Sequence, residues 1–209
     1  RDNRPELHSA TPPLEAVRMI VSRAASTQLE EGALDPVCLM HIDISRAYFH
    51  ALCKKPTFIE IPNEDWEAGD EGNAGQLRVS MYGTRDAASR WEETYTEALV
   101  SSGFVRGWAS GCCFVHPDRK IRCVVHGDDF TFLGKDKDLN WVQSIMAEHF
   151  EIKIRGRLGS GASDTKEIRL LNRIIRWTKE GLEYEADQRH AELLAEMMGV
   201  EAGKGVVTP

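Results

Sequence analysis

Two carboxylates stand side by side in Val124-Val125-His126-Gly127-Asp128-Asp129-Phe130-Thr131-Phe132-Leu133, between apolar, β-branched and aromatic runs. Adjacent like charges repel, which raises the free energy of the pair unless cations sit between them. Hard divalent cations with oxygen ligands, Mg²⁺ or Mn²⁺, suit such a site. A solvated Asp-Asp hairpin turn is the alternative for the pair taken alone. About 85 residues earlier, the mostly apolar run Val37-Cys38-Leu39-Met40-His41-Ile42 ends on a third carboxylate, Asp43. Three carboxylates around two metals suit in-line phosphoryl transfer, one ion activating the attacking oxygen and the other stabilising the leaving group.

Strands must position these groups. Residues 121–125 and 130–133 read as the arms of a hairpin turned at Gly127, which supplies the backbone freedom a tight turn needs. The run 36–43 reads as a strand buried on both faces in the middle of a sheet. If the hairpin pairs beside it, Asp43 and Asp128 face each other across neighbouring strands, within reach of the same ions.

The other elements follow from spacing. Thr11 caps a helix with Pro12 at its first position, Leu14, Val17, Val21, Ala24 and Ala25 forming its inner stripe and Glu31-Gly32 its end. Residues 57–62 form a short strand, 69–75 a flexible acidic loop, and 77–80 a strand that pairs back. A second helix starts near Arg85 or Asp86, buries Ala87, Trp91, Tyr95, Ala98 and Leu99, and stops at Gly103. Residues 112–116 and 119–125 flank a turn at Pro117-Asp118. A third helix covers 138–149 with Leu139, Val142, Ile145 and Met146 inward, and a strand comes next over 150–154. The Gly/Ser-rich segment 156–164 reads as mobile. Residues 168–178 and 182–185 read as a hairpin, with helix an open alternative at Leu170-Leu171. A last helix is expected from an Asp187 cap to Gly199, burying Ala191, Leu194, Ala195 and Met198.

Several stretches resemble a known family. IDISRAYFHA (42–51) looks like motif A of reverse transcriptases, and HGDDF (126–130) looks like motif C. Between them, Leu77-Arg78-Val79-Ser80-Met81-Tyr82-Gly83-Thr84-Arg85-Asp86-Ala87-Ala88-Ser89-Arg90-Trp91 resembles the LYGLKQAPRAW block of Ty1/copia retrotransposon polymerases. The flanks TPPLEAVRMIVSRAA and FEIKIRGRLG, and the close Val206-Val207-Thr208-Pro209, resemble that family too. The implied fold is α+β, a palm-like antiparallel sheet backed by helices, with partial fingers and a C-terminal hairpin-helix appendage. Palm and partial fingers would occupy 1–155, and 156–209 would be a connecting or thumb-like segment.

The implied activity is RNA-directed DNA polymerase: nucleotidyl transfer from dNTPs to a primer 3′ end with two Mg²⁺, Mn²⁺ being the other candidate. Asp43, Asp128 and Asp129 would be the catalytic metal ligands, with the carbonyl of Ile44 completing one coordination sphere. Tyr48 matches the aromatic position packing under the incoming sugar, where a flat ring leaves no room for a 2′-hydroxyl; a plain core aromatic is the alternative. Arg46 and Arg85 could contact the triphosphate or template backbone, since Arg offers forked donors for phosphate. Trp91 fits the family's Trp but at helical spacing reads as core. The chain departs from the pattern at Asp86, where the family carries Gln, at Ala88 for Pro, and at His126-Gly127 for Tyr-Val. An ionised Asp only accepts hydrogen bonds and repels phosphate, so a non-catalytic palm remnant that binds nucleic acid or a protein partner is the second reading.

Composition sets the remaining bounds. The 209 residues suit one domain, or one with a small appendage, with 42% hydrophobic and 28% charged residues. No apolar run approaches the roughly 20 residues that span a bilayer, and there is no secretory-type N-terminal segment. The five cysteines show no metal-ligand spacing and read as reduced packing residues of an intracellular compartment, cytoplasm or nucleus. The net charge of −7 counts against a dedicated nucleic-acid binder, although the resemblance places a basic fingers segment ahead of Arg1 and an acidic whole can hold a locally basic groove. The expected partners are an RNA or DNA template with its primer and a dNTP, with no membrane; the sequence sets no oligomeric state.

Overall fold

A computed structural model describes residues 9–28, 37–185 and 188–199. In chain order the elements are α1 (Leu14–Gln28), β1 (Val37–Ile44), β2 (Phe58–Glu60), β3 (Ala74–Gln76), α2 (Ala87–Ser101), β4 (Val105–Arg106), β5 (Cys113–His116) and β6 (Ile121–His126). They continue with β7 (Asp129–Lys135), α3 (Asp136–His149), β8 (Ile152–Leu158), β9 (Glu167–Leu170), β10 (Arg173–Trp177), β11 (Leu182–Tyr184) and α4 (Gln188–Met197). The architecture is α+β.

The main sheet has six strands in the order β4-β5-β6-β7-β1-β8, each pair antiparallel. The apolar run of β1 therefore lies between β7 and β8, and period-two alternation sends its side chains to two different cores. Met40, Ile42 and Ile44 pack with Phe130, Phe132, Trp91 and Leu139 on the α2/α3 face. Leu39 packs with Val17, Val21, Leu133 and Leu158 on the α1 face. The expected stripe of α2, from Ala87 to Leu99, is buried as read. Among the described residues no helix is long and apolar enough to cross a membrane. All five cysteines are free. Burial pushes the Cys38 thiol up to about 12 and that of Cys112 to about 11, which keeps both protonated at neutral pH.

Five expectations are corrected. α1 begins at Leu14, not beside Thr11, because Pro13 drives Pro12 out of the helical region. Its buried stripe includes Ile20 in place of the exposed Leu14, and its expected end near Glu31 lies outside the described residues. β2 pairs with β3, which begins inside the supposed acidic loop. Residues 77–80 pair back without forming a strand, through the bridge of Val79 to Leu52 and backbone bonds to Ala51, Cys53 and Thr57. β8 runs on to Leu158 into the segment read as mobile. Gly156 permits this, since a Cβ there would lie 2.7 Å from Ile168 Cγ2. The expected hairpin around Lys179-Glu180-Gly181 forms between β10 and β11, but its first arm is not one strand. Residues 168–178 fold into a further hairpin of β9 and β10, turned at Leu171 and Asn172, both with positive φ, the sign pattern of a type I′ turn. Finally, Ala191 and Leu194 of α4 and Met198 just past its end are exposed, and Ala195 is only partly buried, where all four were expected inward; the expected cap Asp187 lies outside the described residues.

Candidate active site

The three carboxylates arrive at one end of the β1–β7 ladder. Antiparallel register sets Asp43 opposite Asp129, and His126 pairs with Asp129 across the hairpin. Gly127 and Asp128 are then the two turn residues. Gly127 has φ 65 and Asp128 is not in the positive-φ region, the sign pattern of a type II′ turn with Gly at its first position. Two bonds fix this turn to the rest of the fold. The Ile44 N–H donates to the Asp128 carbonyl at 2.9 Å, and Trp91 Nε1 donates to the Gly127 carbonyl at 2.8 Å. A one-residue slip of β1 against β7 would move Asp43 to the opposite face. Such a slip would also turn Met40 and Ile42 away from the α2/α3 core in which they are buried.

Electrostatics couple the carboxylates. The Asp128 carboxyl is held above its ordinary range, first by loss of solvent around it and further by the charges of Asp129 and Asp43; its own backbone N–H and His126 pull the other way. Arg155 Nη2 donates to Asp43 Oδ2 at 3.0 Å, and buried His41 places Nε2 at 3.3 Å from Asp129 Oδ1. Each of those carboxylates thus has a cationic or donor neighbour of its own. Among the described residues the one trio of potential ligand atoms within 4.8 Å of one another is Cys38, Asp136 and Asp164, towards the other end of β1. There Arg157 already pairs with Asp136 at 2.6 Å, and the Gly161 N–H donates to Asp164 at 2.6 Å. The ligand atoms of Asp43, Asp128 and Asp129 do not all come within 4.8 Å of one another, although an oxygen-only, mutually repelling set has the chemistry that suits a hard divalent cation.

The other expected residues fall around this end. Ile44 is buried with its N–H engaged by the turn. Arg46 has φ 53 and ψ 44, the left-handed step from β1 into the short helix Ala47–His50, and it pairs with Glu151 at 2.5 Å instead of standing free for phosphate. Tyr48 packs partly buried against the core and lies over Tyr82, ring centroids 4.4 Å apart. Arg85 is exposed just ahead of α2. Asp86 stands at the N-terminal boundary of α2 without a side-chain capping bond, so the capping role available to it is not used. Its Oδ2 lies 3.6 Å from Arg90 Nε. Arg90 in turn bonds Glu93, which bonds Lys54. A cation one helical turn on therefore compensates the carboxylate that replaces the family's Gln.

Sequence reasoning missed three neighbours. His41 shares the Asp43 face by simple alternation, a signal that was available. Arg155 is reached only through the pairing of β8 with β1. Tyr82 lies inside the block 77–91 but had no partner until Tyr48 and Phe49 came to it.

The chain belongs to the reverse transcriptase (RNA-dependent DNA polymerase) family, whose model matches residues 8–161. Its copia-type character shows in two curated relatives. It is 23% identical over 98% of its length to the Retrovirus-related Pol polyprotein from transposon TNT 1-94 of Nicotiana tabacum. It is 28% identical over 61% of its length to the Truncated transposon Ty1-A Gag-Pol polyprotein of Saccharomyces cerevisiae. The chain spans 14% and 10% of the lengths of those relatives. A solved structure of telomerase from Candida albicans in complex with a fragment of telomeric RNA is similar at a TM-score of 0.39 and 8% identity, over 88% of this chain and 37% of that one.

Proposed function

We propose that this chain is the palm, with part of the fingers, of an RNA-directed DNA polymerase that extends a primer on an RNA or DNA template. The observation that carries this reading is the register that brings Asp43 opposite Asp129 while the Ile44 N–H holds Asp128 beside them. In the reaction the primer 3′-oxygen forms a bond to the α-phosphorus of a dNTP, the bond to the β-phosphate oxygen breaks, and pyrophosphate leaves. Two Mg²⁺ held by Asp43, Asp128 and Asp129 would supply charge neutralisation at the attacking and leaving oxygens. The chain's own part is to hold three carboxylates at one strand end and to wall the nucleotide's sugar with Tyr48. Primer extension on a defined template with Mg²⁺ tests this, and absence of extension that Mn²⁺ does not rescue would refute it.

Arg155 must release Asp43 for a cation to bind. Arg155 is exposed and Asp43 mostly covered, and pairs open to solvent on one side contribute about 0.2–1 kcal/mol. Arg155→Gln is therefore expected to tighten Mn²⁺ binding by up to about fivefold, read by titration of the ion's magnetic resonance signal. Unchanged affinity would mean that Arg155 does not compete. The same ion pair is the observation behind the second reading, a palm remnant in which Arg155 takes the place of a cation. That reading predicts nucleic-acid binding without any extension.

For Tyr48 the expected result concerns substrate choice. Tyr48→Val removes the ring and is expected to raise ribonucleotide over deoxyribonucleotide incorporation by about 10- to 100-fold, the range in which pockets discriminate on shape. An unchanged ratio in a folded protein would leave Tyr48 a core aromatic packed on Tyr82.

A further inference from the structure

At the opposite end of β1 from Asp43, β8 runs past Leu158, which pairs with Leu39, into the loop at 159–165. That pair lies about 13 Å along the strand from Asp43, at roughly 3.3 Å per residue. Beside the loop is an open cleft of about 460 Å³ lined by Ser160, Lys166, Trp177, Thr178 and Lys179, a volume within the range of small-ligand sites. Its walls are fixed. The Trp177 N–H donates to the Lys166 carbonyl at 2.8 Å, and the Thr178 N–H to the Gly181 carbonyl at 2.8 Å, which presents Lys179 at the tip of a tight turn. Lys166 Nζ donates to the carbonyls of Gly159 and Gly161 at 2.7 and 2.8 Å, neutral partners that fix the ammonium without cancelling its charge. The nearest acidic group of this loop, Asp164, is engaged by the Gly161 N–H and the Cys38 thiol.

The charge pattern agrees. Residues 152–179 carry eight Lys and Arg against two Asp and Glu, in a chain of net charge −7. Arg155, Arg157 and Arg176 are held in ion pairs with Asp43, with Asp136, and with Glu167 and Glu185, whereas the Lys166 ammonium meets carbonyls. An aromatic face flanked by two ammonium groups and two hydroxyls matches a base with its phosphate. A duplex keeps its bases stacked inside, so a Trp wall suits an unpaired strand.

We propose that this cleft binds one nucleotide of a single-stranded nucleic acid, its base on Trp177 and its phosphate between Lys166 and Lys179. Resting on the polymerase reading, it extends the track of the template or primer strand along β8 from the carboxylate end. The test is fluorescence anisotropy with a labelled oligothymidylate of about 12 nucleotides, in EDTA and without dNTP. Trp177→Leu is expected to weaken binding about tenfold, within the range of one stacked base, and Trp177→Tyr to restore most of it. Lys179→Gln, on an exposed side chain that leaves folding intact, is expected to flatten the salt dependence by about 0.7 of an ion. A duplex of equal length should not respond to Trp177→Leu. Wild-type affinity in Trp177→Leu, a loss that Trp177→Tyr leaves uncorrected, equal losses on duplex, or an unchanged salt slope in Lys179→Gln would each overturn the proposal. The measurement uses no metal and no chemistry. Loss of extension in Asp43→Asn with intact oligonucleotide binding leaves the cleft standing, while intact extension with a neutral Trp177→Leu removes the cleft alone.

Discussion

Asp128→Asn is expected to lower primer extension by at least about 10³-fold while leaving the protein as stable as its parent or slightly more so. The loss follows from charge: a ligand of two cations contributes several kcal/mol to stabilising the reacting oxygens, and each 1.36 kcal/mol is tenfold in rate. The gain in stability follows from the direction of the Asp128 shift. Its carboxyl is raised from the ordinary 3.8 by burial and by Asp129 and Asp43, so folding disfavours its ionised form. An acid raised in the folded state costs stability above its folded pKa, and that cost disappears as pH falls below the unfolded value. Without metal at pH 7, the Asn variant should therefore melt higher by about 1–2 °C, and the difference should vanish near pH 3. Added Mg²⁺ should raise the parent's melting temperature, because a ligand of the native state stabilises it, and should leave the variant's unchanged. Extension retained in Asp128→Asn would remove the two-metal reading. A variant that melts lower at pH 7 would show that the turn needs the carboxylate for structure.

The parts of the site legible in the sequence were those set by local pattern. The near-continuous apolar run in 36–43 places β1 at the centre of a sheet, and Gly127 between two apolar arms marks the hairpin. The stripe from Ala87 to Leu99 marks α2, since helix period and burial coincide there. The parts that were not legible depend on pairing between distant segments. β8 shows this best. Strict alternation would place Lys153, Arg155 and Arg157 on one face, but the register shift opposite His41/Ile42 leaves Arg155 as an extra residue, a bulge that re-aims the side chains beyond it. Arg155 then meets Asp43, and Arg157 turns to Met40 and Asp136. The turn at Leu171-Asn172 carries no glycine, so a left-handed Leu there gives no signal. Asp86 looks like a charge in the wrong place because its partner, Arg90, lies off the apolar stripe by which α2 is recognised.

Trp91 joins the packing to the chemistry, and its substitutions separate the two. The ring is 1% exposed and meets Tyr95, Phe130 and Phe150 edge-on at centroid distances of 5.5, 6.3 and 5.0 Å. Trp91→Ala is expected to cost about 3–5 kcal/mol through the cavity it leaves, a large share of the 5–15 kcal/mol typical of a folded domain. The melting temperature should fall by about 6–20 °C. Trp91→Phe keeps an aromatic body among those rings but deletes the N–H that holds the Gly127 carbonyl, a bond of about 0.5–1.5 kcal/mol. The turn carrying Asp128 then keeps the Ile44 bond and loses its tie to α2. Displacements of about 1 Å in a reacting group can cost 10²-fold, so Trp91→Phe is expected to lower kcat about tenfold or more, with a melting temperature only a few degrees down and a smaller change in the KM for dNTP. Trp91→Phe with a parental kcat would reduce Trp91 to a core residue. A fall in kcat while Asp128 keeps its raised titration and its Mg²⁺-dependent stabilisation would locate the defect in the placement of the turn, since the carboxylates and their mutual repulsion would be intact.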